Sequence, residues 1–415
     1  MKHILYLFLL FCLPIEMEAQ IKCHIEGTVI NRPKSNTLVL IETNADPRIA
    51  STKYISIRDG HFVFDFSTDK VKAYDLIFKE ELDEGAMWPV TFFAENGGVR
   101  FTLYPSNAQP RYIISSKNPV MNEMLAFNRR HDQVYLPKYK RLGAEMDSLD
   151  KAQKFYNEKQ LAFVKRLEAA SEEEKVDLYK VGERMQENGE FYTPEGKNVT
   201  SRYKELVQQE TEEKINYISK HTTLFSLYLI SNLVCFNPTF DKYKIASIYN
   251  KTFSRRFAGH PYINMINTGF QANALKVGNV YPNYVTNDLK GQTHHISDLI
   301  RGKIAIIDLW ASWCGPCRIH SKQLIPVYEK FKNHGFTVIA IAREKGNTEN
   351  MESAVKKDGY PWQQYIELND KNQIWNRHGI GLSGGGIFLV DSDNRLLAIN
   401  PDIEEVEKIL EERLK

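Results

Sequence analysis

Two cysteines stand two residues apart in Cys314-Gly315-Pro316-Cys317, a spacing that serves a redox pair, half a zinc site or a haem attachment point. Haem attachment fails, because Arg318 stands where a histidine must follow the second cysteine. Structural zinc needs four ligands. His320 extends the series only to Cys314-x-x-Cys317-x-x-His320, and no second Cys-x-x-Cys follows. A redox pair asks for a stabilised thiolate and a second thiol within reach. Both follow if Cys314 ends a strand and a helix starts around Cys317, since the positive end of a helix depresses a thiol pKa. Pro316 suits the first helical turn, where its missing N–H is not needed. Trp310 and Trp313 flank the pair as a shield, unless they are simply core. Asp308 interrupts the apolar run Ile304–Trp310, where a carboxyl must be paired or protonated to be buried.

The rest of the chain must supply that strand and helix. With 415 residues, 42% of them hydrophobic and 26% charged, the chain is globular and long enough for two or three domains. A net charge of +2 gives no field to favour nucleic acid as a partner. Residues 1–20 read as a secretory leader: Lys2, an apolar run from Ile4 to Leu13, then a polar stretch with cleavage near Ala19. The run is too short to cross a bilayer, which takes about 20 residues, and no later segment could do so. Lipid attachment at Cys12 is the weaker alternative, because Phe11 is bulky where a small residue is wanted. Export favours a cycling cysteine pair over a disulfide scaffold, which would use more cysteines than remain. Cys23 and Cys235 are expected to be single thiols rather than a second bridge.

Three regions follow the leader. Residues 21–116 alternate apolar and polar at period two, with turns at Asp59-Gly60 and Asn96-Gly97-Gly98, and read as an antiparallel β domain, a small sandwich or a barrel. Residues 117–270 read as helical, with Tyr203, Leu206, Val207, Ile215 and Ile218 on one face and a break between Gly189 and Thr200. Residues 271–415 alternate strand and helix: strands at Lys303–Trp310 and Phe336–Ala342, a hairpin formed by Ile387–Val390 and Arg395–Ile399, and a closing helix from Pro401 to Leu414. That is the order of a thioredoxin fold. His294-His295 reads as an exposed turn, and Glu367 and His378 lack a spacing that requires chemistry.

Trp310-Ala311-Ser312-Trp313-Cys314-Gly315-Pro316-Cys317-Arg318 closely resembles the active-site segment of thioredoxins. Val277-Gly278-Asn279-Val280-Tyr281-Pro282, Asp298–Lys303 and Ile387-Phe388-Leu389-Val390-Asp391 narrow the resemblance to exported TlpA/ResA-like thiol–disulfide oxidoreductases. The resemblance implies that the pair reduces disulfides of partner proteins without a cofactor, and that electrons come from a membrane donor. It also implies that Asp308 relays a proton for the second cysteine. The front segment, with Ile25-Glu26-Gly27 and Asp59-Gly60-x-Phe62, resembles a domain of unknown function that often precedes such redox domains.

Two positions depart from the family pattern. Gly385, within Ser383-Gly384-Gly385-Gly386, stands where the family carries a cis-proline. A cis peptide without proline costs about 3 kcal/mol, so a trans bond is expected, either in a flexible turn or in one that brings backbone close to a partner strand. His320 stands in place of a glutamate, on the face of Cys317, where it is expected to exchange protons near neutral pH. These departures keep two alternatives open: a non-catalytic thioredoxin-fold binding protein, and a metal-binding protein using the cysteine pair and His320.

Overall fold

Period-two alternation builds the front of the chain into β1 (Ile21–Val29), β2 (Thr37–Glu42), β3 (Lys53–Ser56), β4 (His61–Thr68), β5 (Lys72–Phe78), β6 (Val90–Ala94), β7 (Gly97–Leu103) and β8 (Tyr112–Ser116). In this computed structural model, which describes residues 20–414 except 86, 87 and 238, the strands form two four-stranded sheets. Their orders are β4-β1-β7-β8 and β3-β2-β5-β6. Residues 1–19, with Cys12 and Ala19 of the expected leader, lie outside the described residues. Phe92 on β6 meets Phe66 on β4 and Phe101 on β7 edge-on, at 6.4 and 5.3 Å between centroids, so the two inner faces form one sandwich core. The pairs β1–β4, β5–β6 and β7–β8 are antiparallel, whereas β1 and β7 run parallel. Asp59 and Gly60 both take positive φ, as the expected two-residue hairpin turn requires.

Two compact units are present. One runs to Val39 and resumes at Tyr54–Met121; the other comprises Leu40–Lys53 and Asn122–Lys415. From Asn122 the second unit runs through long helices: the rest of Pro119–Lys151, then Glu172–Glu187, Pro194–Lys220 and Pro261–Asn273 among others. Leu206, Ile215 and Ile218 bury one face of Pro194–Lys220, but Tyr203 is 39% exposed. The break expected up to Thr200 ends at Thr193. The Thr193 hydroxyl accepts the Gly196 N–H at 3.0 Å and Pro194 opens the helix, so what reads as a Pro-Glu-Gly turn is a first helical turn.

The C-terminal part is a seven-stranded sheet of β9 (Val285–Asp288), β10 (Thr293–His295), β11 (Ile304–Trp310), β12 (Phe336–Glu344), β13 (Gln364–Leu368), β14 (Gly386–Val390) and β15 (Leu396–Ile399). Its order is β10-β9-β13-β12-β11-β14-β15, with β11, β12 and β13 parallel and β14 antiparallel to β11. The expected thioredoxin order is present, with β9, β10 and β13 as additions. Val277–Pro282 is not a regular strand; Val280 makes a single bridge to Arg395, and Pro282 has no N–H for a ladder. His294 lies in β10 rather than a turn and is paired with Asp288 at 3.1 Å. All seven residues of β11 are buried, as a central strand covered on both faces requires. Ile304, Ile306 and Trp310 face one apolar cluster, and Ala305, Ile307 and Leu309 the other. Period two therefore turns Asp308 toward the first cluster, which also holds Leu324, Val327 and Phe331 of the helix Gly315–Phe331. Among the described residues no helix is long and apolar enough to cross a membrane.

Candidate active site

β11 ends at Trp310, three residues turn, and the helix starts at Gly315 with Cys314 as its N-cap. The Cys317 N–H points at Cys314 Sγ over 3.3 Å, and Pro316 occupies the first turn. Cys314 and Cys317 are joined as a disulfide. Cys314 is 8% exposed, Cys317 partly so. After reduction the same N–H and the helix end favour negative charge at Cys314. Cys23 and Cys235 are free thiols, and burial pushes them up to about 11 and about 12.

Asp308, on the β11 face turned toward the helix Gly315–Phe331, is 1% exposed, and burial raises its carboxyl to about 7. Ser321, one turn past Cys317 and unforeseen in the sequence, has its hydroxyl 2.7 Å from Asp308 Oδ2 and 3.0 Å from the Cys317 carbonyl. Its single proton serves the ionised carboxylate. When Asp308 is protonated, Asp308 can donate to Ser321 while Ser321 turns to the Cys317 carbonyl. Only the i, i+4 spacing hinted at this link.

The flanking residues divide. Trp310 is core: fully buried, it donates through Nε1 to Gln364 at 3.1 Å and stacks edge-on with Tyr360. Trp313 is half-buried, with the Arg48 guanidinium 3.8 Å above its ring. Buried Glu344 at the end of β12 accepts from the Ser312 N–H at 2.7 Å and its hydroxyl at 2.9 Å, which braces the turn before Cys314. Arg318 also braces it, donating to the Ser312 carbonyl at 3.3 Å while paired through two bonds with Asp358.

His320 departs from expectation. It is 3% exposed, its Nε2 donates to the Pro401 carbonyl at 3.2 Å, and burial pulls its pKa down to about 4. It is therefore neutral near pH 7 rather than a proton exchanger. The unfolded residue, near 6.5, takes up its proton first as the pH falls, so folding stability is lost between about 6.5 and about 4. His320→Leu is expected to flatten that stretch of the stability–pH curve in denaturant titrations, leaving a residual slope from His378, which burial also lowers to about 4. An unchanged slope would contradict this. Among the described residues no group of three or more His, Cys, Asp or Glu is placed to hold a metal ion, so Cys314, Cys317 and His320 do not form one.

Gly385 has a trans peptide, and the glycine run is a close contact rather than a loose turn. A Cβ on Gly385 would lie 1.8 Å from the Leu309 carbonyl oxygen and 3.1 Å from Cys317 Sγ. A Cβ on Gly384 would lie 2.3 Å from Cys314 Sγ. Only glycine lets this backbone rest on the two sulfurs.

Residues 277–397 match the AhpC/TSA family. Over 126 residues the chain is 27% identical to the thiol-disulfide oxidoreductase ResA of Geobacillus thermodenitrificans, covering 30% of this chain and 70% of that protein. It is 28% identical over 141 residues to ResA of Geobacillus kaustophilus, covering 33% and 78%. It is also similar to the thioredoxin domain of a thiol-disulfide oxidoreductase from Bacteroides vulgatus, with 25% identity, 34% of this chain, all of that one and a TM-score of 0.31. Fold, paired cysteines and relatives together define a thioredoxin-fold oxidoreductase of the thiol–disulfide class. More narrowly, the C-terminal region of this chain is TlpA/ResA-like.

Proposed function

We propose that the chain is an exported reductant of disulfides in partner proteins. The observation that carries this reading is Cys314 at a helix N-cap, with the Cys317 N–H aimed at its sulfur and a buried carboxyl of pKa about 7 on the β11 face turned toward that helix. The reduced Cys314 thiolate attacks one sulfur of the partner's disulfide, forming a mixed disulfide and releasing the other sulfur as a thiolate. Asp308 takes the proton of Cys317. Cys317 then attacks Cys314 Sγ, closing the internal disulfide and releasing the second partner thiolate. Two electrons pass to the partner, and a dithiol donor, membrane-bound in the family this region resembles, must reduce the pair again.

Export rests on the apolar run Ile4–Leu13 and its polar flank. We assign residues 1–20 to the leader, 21–116 to the β-sandwich, 117–270 to the helical region and 271–415 to the redox domain, with the middle two holding the partner. Cys317→Ser, expressed as the full chain in a periplasm, is expected to accumulate mixed disulfides with partner proteins that a reductant releases. The wild type is expected to reduce insulin. If the double variant Cys314→Ser/Cys317→Ser captures the same proteins, or if the wild type reduces no disulfide, the fold serves binding instead.

A further inference from the structure

The glycine run raises a physical problem. Consecutive glycines lose more backbone freedom on ordering than any other residues, and no proline stiffens this turn, yet Gly384 and Gly385 rest against the sulfurs. The two carbonyls just upstream show what holds them. Arg343 Nη1 donates to the Gly381 carbonyl at 3.2 Å, and Arg48 Nη2 donates to the Leu382 carbonyl. Both arginines converge on Asp46. Arg343 reaches Asp46 Oδ2 at 3.0 Å, while Arg48 grips both carboxylate oxygens, Nε at 2.9 Å and Nη2 at 2.7 Å.

The Asp46 side chain is fully buried and that of Arg343 is 3% exposed, so this is a desolvated charge centre. Asp370 completes it by taking the other edge of Arg343 at 2.6 and 2.7 Å. Asp46 and Arg48 belong to the segment Leu40–Lys53, which is part of the same compact unit as the redox site. Lys345 Nζ fastens that segment again at the Ala50 carbonyl, over 2.7 Å. Arg48 has a second contact, its guanidinium face on Trp313, the residue before Cys314. One side chain therefore touches both loops that abut the disulfide.

We propose that Asp46, Arg48 and Arg343 form a clamp that positions the glycine loop on the Cys314–Cys317 pair in place of the absent proline, with Arg48 as the residue that ties the two loops together. The clamp rests on the redox reading above and adds to it a specificity role. Leu382 and Ser383 are exposed beside the pair, so a protein disulfide must lie along this loop, whereas a small disulfide needs only to reach the sulfur. The clamp should therefore matter for protein substrates and little for small ones.

Arg48→Gln is the test, made in the full chain; the Arg48 side chain is 43% exposed, and Arg343 remains to pair with the buried Asp46. KM for insulin is expected to rise about tenfold, the scale of one charge-assisted hydrogen bond, while the rate with 2-hydroxyethyl disulfide stays within about twofold. Amide exchange at Ser383–Gly386 is expected to speed up about tenfold. Arg48→Lys should restore part of both, since it keeps the charge but loses the fork and the stacking. Equal loss on both substrates, or unchanged exchange, overturns the clamp. Failure of the wild type on both substrates would instead overturn the redox reading, and the exchange measurement would still decide the clamp.

Discussion

Asp308→Asn is expected to stabilise the protein and slow its chemistry. The folded carboxyl titrates near 7 because it is desolvated, against 3.8 for the free group. Between these values the folded state holds a proton that the unfolded state has released, so stability falls as pH rises through that window. Above pH 7 the full cost of roughly 4 kcal/mol is present, an upper bound that asparagine removes. Near pH 4 the variant should gain almost nothing. The same change deletes the base proposed for Cys317, a contribution of about 10²-fold or more to turnover. Wild-type activity should rise with pH through an inflection near 7 that the variant lacks. Denaturant unfolding at pH 4 and pH 8, with insulin reduction across the same range, checks both halves. A variant less stable at pH 8, or one that keeps the inflection, would sink the assignment of Asp308.

Gly385→Ala should be the most disruptive glycine substitution in the redox domain. Its new methyl would sit 1.8 Å from the Leu309 carbonyl oxygen, a backbone atom of the central strand that cannot step aside. Ordinary overpacking costs about 1–3 kcal/mol, and a collision with fixed backbone belongs at or beyond the top of that range. Gly384→Ala meets Cys314 Sγ at 2.3 Å and should mainly impair the cysteine chemistry. Gly315→Ala is the control: nothing lies within 4 Å of its added Cβ, and alanine favours the helix it opens. Thermal unfolding of the three variants gives the order. A Gly385→Ala midpoint equal to that of Gly315→Ala would return the loop to the flexible turn the sequence also allowed.

The contrast between Gly385 and His320 shows where sequence reasoning stops. Both mark departures from the family pattern, and both turn on what lies above the side chain. Gly385 permitted a loose turn or a close approach, and only the positions of Leu309 and the two sulfurs select the second. His320 has a helical spacing that suits proton exchange, but spacing says nothing of burial, and the Pro401 carbonyl with its surrounding core makes it a neutral structural residue. Glu344, Ser321, Asp46 and Arg48 carry no local motif. Their partners lie 32, 13, 297 and 334 residues away in sequence.

What the sequence by itself determined is local or periodic. The Cys-Gly-Pro-Cys spacing, the apolar run that must become a central strand, and the even offset that turns Asp308 toward the active-site helix follow from periods of 2 and 3.6. The alternation of the front segment likewise calls for a sheet with one apolar face to bury, and packing decided that it forms a sandwich rather than a barrel. Tertiary structure alone decided which groups charge and which loops hold. A pKa depends on desolvation by residues distant in the chain, and a positioned loop depends on partners brought together only by packing. The redox pair was therefore legible from its own fourteen-residue neighbourhood, Ile307–His320. The Asp46–Arg48–Arg343 centre beside it exists only once the chain has folded.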